Sequence, residues 1–324
     1  MSITRPIISV CLIVKNEFGI LDTLAHLDAN GHGEKVEFLV VDSSDVEFDF
    51  EEKIAKNFPK VRYFRYDNPP KKITIANQRN VAVINALADN ILFCDAGGSP
   101  GMNWLSNLSA PLISNKHELV GGSIHASNKS AAAVNPASQE SGGVVQYPST
   151  ANLGIKRELI VRLGGFNESL DYGSDADLVW RAAQVGIFQY WVPDAEMGLD
   201  GGSMLRQIKR ARKYGKALAN LMYLHQDQRS RIFTRNPEVW FYGLWFGFQL
   251  CSALLALYCR NVQIPFLIVV AGSNILLLIR NRRESRPFLV IVLHYVYSIE
   301  FYVQIARILG GARGKLVSQA QWLK

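Results

Sequence analysis

Apolar residues fall along this chain in two regimes, short runs ahead of about Ser230 and long ones beyond it. Ile7 to Val14 is an apolar run bounded by Pro6 and by Lys15-Asn16-Glu17, the pattern of a strand buried on both faces. Ile20 to Leu27 has helical apolar spacing, and Val36 to Val41 is a second buried strand that ends in Asp42-Ser43-Ser44-Asp45. Strand, helix, strand in that order predicts a parallel α/β sheet with ligands bound beyond the carboxyl ends of its strands. The pattern continues with a helix over Glu51 to Phe58, a strand over Val61 to Tyr66 and, after Asn68-Pro69-Pro70, a helix over Ile75 to Leu87. Strands follow at Ile91 to Cys94, Leu119 to His125 and Phe188 to Val192. Asn128 to Gly143, rich in Ala, Ser, Asn and Gly, reads as a loop able to close over a substrate.

The later regime predicts a different environment. Met204 to Leu224 alternates apolar residues with Arg206, Lys209, Arg210, Arg212, Lys213 and Lys216. Such a face is either solvated or laid on anionic lipid, where each basic residue contributes about 1 kcal/mol. Val239 to Cys259 is apolar over the length a crossing needs, about 20 residues, and Val262 to Ile279 is shorter but free of charge. With the tight link Arg260-Asn261 they predict a hairpin whose basic flanks, Arg229, Arg231 and Arg235 before and Arg280, Arg282, Arg283 and Arg286 after, lie on one side. A third segment, residues 287–309, is apolar enough to cross but carries Glu300, Gln304 and Arg307 at i, i+4, i+7 spacing. That stripe faces the other helices, a partner subunit or the membrane interface. The organisation expected is a head over residues 1–202, a basic connector over 203–236, membrane helices over 237–310 and a basic tail over 311–324.

Composition narrows the class. The chain has 324 residues, and Lys plus Arg exceed Asp plus Glu by seven, with the excess concentrated from Arg206 onward. Basic clusters beside apolar runs point to a lipid surface, and no zinc-finger, RNA-binding or basic-zipper spacing supports nucleic acid. Cys11, Cys94, Cys251 and Cys259 lack paired metal spacing and read as small hydrophobes in a reducing compartment. The first ten residues lack the apolar core of a signal peptide, which keeps the head in the cytoplasm.

Candidate chemistry concentrates in Leu163 to Arg181, L-G-G-F-N-E-S-L-D-Y-G-S-D-A-D-L-V-W-R. Asp175 and Asp177 precede the apolar Leu178, Val179 and Trp180, so either carboxylate is a helix N-cap or a reactive group at the mouth of a pocket.

In order along residues 6–215, several motifs together resemble the family 2 inverting glycosyltransferases of the GT-A fold. Ser9-Val10 through Asn16-Glu17 is similar to that family's first strand, Val40-Val41-Asp42-Ser43-Ser44 to its nucleotide-binding strand end, and Arg79-Asn80 with Ala82 to its A-R-N helix. Asp95 stands where the D-x-D motif begins, and Pro100-Gly101 with Trp104-Leu105 resembles the P-x-W-L continuation. Gly164-Gly165-Phe166-Asn167-Glu168 and Asp175-x-Asp177-Leu178-x-x-Arg181 resemble G-G-F-D-E and E-D-x-D-L-x-x-R. The resemblance implies a GT-A catalytic domain, Rossmann-like with a mostly parallel sheet, followed by an α-helical membrane region. It implies that Asp42, Ser43, Asn16, Glu17 and Arg79 bind the donor nucleotide and that Asp95 holds Mg²⁺ or Mn²⁺ on the diphosphate. Asp175 would be the base that deprotonates the acceptor, with Asp177, Gly165, Phe166 and Trp104 at the acceptor.

The chain departs from the family pattern at three places. The D-x-D motif is Asp95-Ala96-Gly97, Ser174 replaces the first acid of the Glu-Asp pair, and Gln207-x-x-Arg210 lacks the Trp of Q-x-x-R-W. Where many relatives carry a histidine metal ligand, this chain offers Asp194, Glu196 and Asp200 in the expected loop after Phe188 to Val192, and Asp200 is expected to complete the metal site. The resulting expectation is a multi-pass enzyme of the inner (plasma) membrane with its catalytic domain cytoplasmic. It would move a sugar from a nucleotide-sugar donor to a lipid-linked or glycan acceptor, in contact with membrane lipids and with a homo-oligomer or partner subunit through its helices. The alternative is a catalytically silent membrane subunit that binds nucleotide-sugar or scaffolds other proteins.

Overall fold

In a computed structural model of the chain, the described residues are 5–29, 35–67, 72–126, 149–230, 234, 237–258, 263–280, 282 and 286–311. The loop expected over 128–143, the link at 260–261 and the tail beyond Gly311 lie outside them. The chain divides into two compact units, one over Met1–Asp200 and one over Gly201–Leu316.

The first unit is built on an eight-stranded sheet. Its strands are β1 (Ile8–Val14), β2 (Val36–Asp42), β3 (Arg62–Arg65), β4 (Asn90–Asp95), β5 (Gly98–Pro100), β6 (Leu119–Ala126), β7 (Leu153–Lys156) and β8 (Tyr190–Leu199). Their spatial order is β3-β2-β1-β4-β7-β6-β8-β5. The first four are parallel, whereas β7 runs antiparallel to both β4 and β6, and β5 antiparallel to β8. The sheet is therefore a parallel half joined to a mixed half.

Both faces are covered, which is why the parallel strands read as apolar runs without alternation. Val10, Leu12 and Val14 of β1 join Ile20 and Leu24 of helix α1 (Gly19–Ala29), Phe50 of α2 (Phe50–Asn57) and Trp104 and Leu108 of α4 (Trp104–Ile113) in one core. Cys11 of β1, Val41 and Phe93 join Ala82 of α3 (Ile75–Asn85), Leu159 of α5 (Arg157–Arg162) and Leu178 of α6 (Ser174–Gln184) in the other. Burial pushes the Cys11 and Cys94 thiols far above their ordinary range, so both act as packing groups.

Three strands differ from expectation. β5 and β7 are short strands that carry no run long enough to read. β8 continues through Leu199, so Asp194 and Glu196 belong to a strand and Asp200 directly follows it, which corrects the expected loop. The extension exists because β8 pairs with β6 on one side and β5 on the other, with a register shift at Gly122/Ser123 that absorbs Pro193 to Ala195. Asn152 secures this shift from within the core. Its amide donates to the carbonyls of Ser123 (2.8 Å) and Ala195 (2.7 Å), and its carbonyl accepts the indole N–H of Trp104 at 2.8 Å.

The second unit is helical: α7 (Met204–Leu224), α8 (Pro237–Tyr258), α9 (Gln263–Arg280) and α10 (Pro287–Leu309). α7 and α10 pack closely, since a Cβ on Gly215 would lie 2.1 Å from the carbonyl oxygen of Tyr297. Two members of the polar stripe turn towards α7, with Glu300 accepting from Arg212 at 2.7 Å and Gln304 donating to Asn220 at 2.9 Å. Among the described residues, α10 is the one helix long and apolar enough to cross a membrane, with a mean hydropathy of 1.6. The apolar stretches Val239–Leu255 and Val270–Ile279 are shorter. The helices expected over Val239 to Cys259 and Val262 to Ile279 are both formed, as α8 and α9.

Candidate active site

Strand register lines up the acidic strand ends of the parallel half. Asp42 pairs with Val14 across β2/β1, and Asp95 pairs with Ile13 across β4/β1. The two carboxylates therefore flank the end of β1, their backbones roughly 10 Å apart at a strand spacing of about 4.8 Å.

Around Asp42 the hydrogen bonds point inward. Its carboxylate is fully buried and accepts from the Ser44 N–H at 2.7 Å, the Tyr63 hydroxyl at 2.5 Å and Arg65 Nη1 at 3.1 Å. Burial first, and then this bond to Asp42, push the Tyr63 phenol well above its ordinary range, so it stays a donor. Asp42 thus holds the loop after β2 in shape rather than facing out of it. Ser43 is also buried, its N–H bonded to Val14 O at 3.0 Å. The exposed groups at this edge are Asn16 and Asp45, locked by a reciprocal pair: Asn16 Nδ2 to Asp45 Oδ2 at 2.6 Å and Asp45 N–H to Asn16 Oδ1 at 2.8 Å. Asn16 takes φ 55°, a left-handed turn that ends β1, while half-buried Glu17 meets the N–H of Gly19 at 3.4 Å.

Asp95 presents a side chain 42% exposed, with Arg79 Nη2 at 3.5 Å. The same guanidinium reaches Ser174 Oγ at 3.5 Å through Nη1 and lies 5.7 Å over the Phe166 ring. A single buried arginine therefore connects the end of β4 to the start of α6, where Asp175 sits. Asp175 is half-buried in the first turn and bonds the N–H of Ala176 at 3.0 Å; among the described residues its carboxylate makes no other hydrogen bond.

The turn that sets α6 in place is Gly164-Gly165-Phe166. Both glycines have positive φ, 81° and 90°. Its main chain is claimed from two helices. Asn80 of α3 accepts from Phe166 N–H (2.8 Å) and donates to Phe166 O (3.0 Å), while Arg181 of α6 donates to Leu163 O (2.6 Å) and Gly165 O (2.7 Å). Arg181 is itself paired with buried Asp177 at 2.7 Å. Asp177, Phe166 and Trp104, expected at the acceptor, are 2%, 0% and 1% exposed, with Phe166 and Trp104 packed in the cores on opposite faces of the sheet. Phe166 packs edge-on to Phe93 in the core at 5.3 Å.

For a divalent cation the donor set is oxygen. Asp95 is half-exposed, and Asp200 is exposed one residue beyond the Gly98–Leu199 pair of β5 and β8, on the strand edge next to the Asp95 turn. Among the described residues no three His, Cys, Asp or Glu are grouped to hold an ion. One or two carboxylates nonetheless fit Mg²⁺ or Mn²⁺ when water and substrate phosphates fill the remaining positions. Sequence reasoning missed Arg65, Tyr63 and Thr23, whose polar groups inside apolar segments carry no motif signal, and treated Asn80 and Arg181 only as motif letters.

A mixed sheet with carboxylates at the carboxyl ends of its parallel strands, joined to a helix bearing an acidic first turn, is a GT-A fold. The chain is similar in structure to the mannosyltransferase PcManGT from Pyrobaculum calidifontis, solved in complex with GDP-Man and Mn²⁺. The TM-score is 0.64 at 19% identity, over 93% of this chain and 87% of that one. In sequence it is similar to the pre-mycofactocin glycosyltransferase of Mycobacterium tuberculosis, in strains CDC 1551 / Oshkosh and ATCC 25618 / H37Rv. Identity is 27% over 174 residues, 47% of this chain and 36% of each relative, so the match spans about a third of their length. No family model matches the chain.

The Arg181 clamp is testable by stability. With the Asp177 and Arg181 side chains only 3% and 12% exposed, Arg181→Ala removes the cation paired with a buried carboxylate and the donor to two carbonyls, and costs about 3 kcal/mol. Arg181→Lys recovers only part of that, because a lysine lacks the planar fork that meets three acceptors. Urea midpoints of both variants measure it; an unchanged midpoint for Arg181→Ala contradicts the clamp.

Proposed function

We propose that the chain is an inverting glycosyltransferase, of the family 2 type, that takes a sugar from a nucleoside diphosphate donor. The observation that carries this reading is Asp175: a partly accessible carboxylate with one oxygen uncommitted, held on a clamped helix start and linked through Ser174 and Arg79 to Asp95. The names of its relatives agree with it, since PcManGT is a mannosyltransferase bound to GDP-Man and Mn²⁺ and the Mycobacterium proteins are glycosyltransferases.

In the proposed reaction Asp175 accepts the proton of an acceptor hydroxyl. The oxygen attacks the anomeric carbon on the face opposite the leaving group, the carbon–oxygen bond to the nucleotide breaks, and the nucleoside diphosphate leaves with the bonding electron pair. Inversion follows from this single in-line displacement. An unactivated sugar hydroxyl is a poor nucleophile, and a carboxylate about 3 Å away removes that barrier. Arg79 stands close enough to Asp95 to share in neutralising the departing diphosphate, where fixed positive charge is worth most. Mg²⁺ or Mn²⁺ held by Asp95, with Asp200 as second carboxylate, would supply further charge stabilisation. Asn16, Glu17 and Asp45 form the rim for the nucleoside, with Asp42 and Ser43 behind it.

The acceptor is proposed to be lipid-linked. α8 and α9 expose Leu244 (72%), Leu257 (81%), Ile264 (72%) and Ile268 (67%), an apolar surface that water disfavours and acyl chains accept. Arg206, Lys209, Lys213 and Lys216 are exposed on α7 and suit an anionic headgroup layer. On this reading the protein is a membrane enzyme with its head on the cytoplasmic side and α8, α9 and α10 in the bilayer. The missing second carboxylate of Asp95-Ala96-Gly97 favours a second reading, a silent nucleotide-sugar-binding subunit.

Asp175→Asn separates the two. As an enzyme, the variant loses about 10²- to 10⁴-fold in transfer rate while still binding nucleotide, measured by donor turnover alongside calorimetric titration. Transfer at the wild-type rate overturns the base assignment, and absence of transfer in the wild type favours the silent subunit. Membrane residence has its own test: the full chain stays in the membrane fraction after alkaline carbonate washing and leaves only with detergent. Release by salt alone contradicts an embedded helical unit.

A further inference from the structure

Thr23 lies in the second turn of α1 and is fully buried. A threonine hydroxyl inside a helix ordinarily satisfies itself on the carbonyl four residues back. Here Gly19 O is within 3.0 Å, yet the same oxygen also accepts the N–H of Gly97 at 3.0 Å and reaches the carbonyl of Gly98 at 2.8 Å. Those two residues follow Asp95 by two and three positions. The approach is backbone to backbone as well, because a Cβ on Gly19 would come within 2.7 Å of Gly97 Cα. Gly97 has φ +85°, the left-handed conformation that reverses the chain between β4 and β5. The turn that carries Asp95 is thus held on one side by its register with β1 and on the other by a single hydroxyl and a glycine contact from α1.

We propose that Thr23 is a positioning residue for the diphosphate end of the donor site: by fixing Gly97 and Gly98 it sets the Asp95 carboxylate where a cation-bound diphosphate meets it. This rests on the reading of Asp95 as the cation-facing carboxylate. Thr23 touches neither substrate nor ion; it acts through the turn. Removing the hydroxyl takes this partner from the half-buried N–H of Gly97 and the buried carbonyl of Gly98, and the turn relaxes to recover them.

The test uses the full-length protein in detergent, with Mn²⁺ as the probe ion, alone and with UDP or GDP, and free Mn²⁺ followed by electron paramagnetic resonance. Thr23→Val is expected to weaken Mn²⁺–diphosphate binding by about tenfold or more, the scale at which residues supporting a ligand act. Thr23→Ser, which keeps the hydroxyl, is expected to bind within about threefold of wild type by the same logic. Gly19→Ala crowds the turn with the hydroxyl intact and must also weaken binding, which keeps the proposal falsifiable if Thr23→Val fails to fold. A loss of stability alone would lower the bound fraction without changing the dissociation constant of the folded protein. Wild-type affinity in Thr23→Val overturns the positioning role. Asp95→Asn is the control for the underlying reading: if it binds Mn²⁺ and diphosphate like wild type, the Asp95 assignment falls and this proposal with it.

Discussion

The site depends on how the main chain of Gly164-Gly165-Phe166 is satisfied. Buried peptide groups need partners, and this turn lies between two helices with no strand to supply them. Asn80 from α3 and Arg181 from α6 take that place, the first bonding both polar groups of Phe166 and the second the carbonyls of Leu163 and Gly165. The two glycines make the reversal accessible, since both occupy positive φ. Phe166 then seats against Phe93, and the start of α6 has little freedom left. The reactive candidate, Asp175, is placed by everything around it, while its own side chain is spent on a single hydrogen bond to its neighbour's amide.

That division of labour explains how the two aspartates of α6 differ. Two positions apart in the first turn of α6, they carry the same charge and the same chemistry, and burial is what separates them. Asp177 is covered and neutralised by Arg181, so it serves the clamp. Asp175 is partly accessible and linked by way of Ser174 and Arg79 to Asp95. Asp42 and Asp95, at the ends of β2 and β4, divide in the same manner: Asp42 is consumed by Ser44, Tyr63 and Arg65, and Asp95 is left half-open.

Periodicity made much of the fold legible. Apolar runs announced β1, β2 and β4 because strands covered on both faces cannot hide their composition, and helical spacing announced α1, α2 and α3. β5 and β7 are too short for any pattern, and the far half of β8 is disguised by Asp194, Glu196 and Pro193, which an exposed strand face tolerates. The order of the motifs singled out Asp95 and Asp175 as candidates, and the fold leaves both partly accessible, whereas Asp42, Asp177, Phe166 and Trp104 are buried, which no motif reports. Thr23 and Asn152 could not be read at all, because a polar side chain in an apolar segment reveals its partner only when distant strands and turns come together. In the second unit the polar stripe of α10 was visible, but its direction, towards Arg212 and Asn220 on α7, required the packing.

The central claim is that this geometry transfers sugar from a nucleotide donor. Its most direct test incubates the purified full-length protein with a panel of nucleotide-sugars, membrane lipid extract and Mn²⁺, and follows nucleoside diphosphate release together with sugar appearing on lipid. The account predicts release with one donor, dependent on the lipid extract and reduced by chelation of the metal. No release or transfer with any donor, from a protein that binds nucleotide, would contradict it.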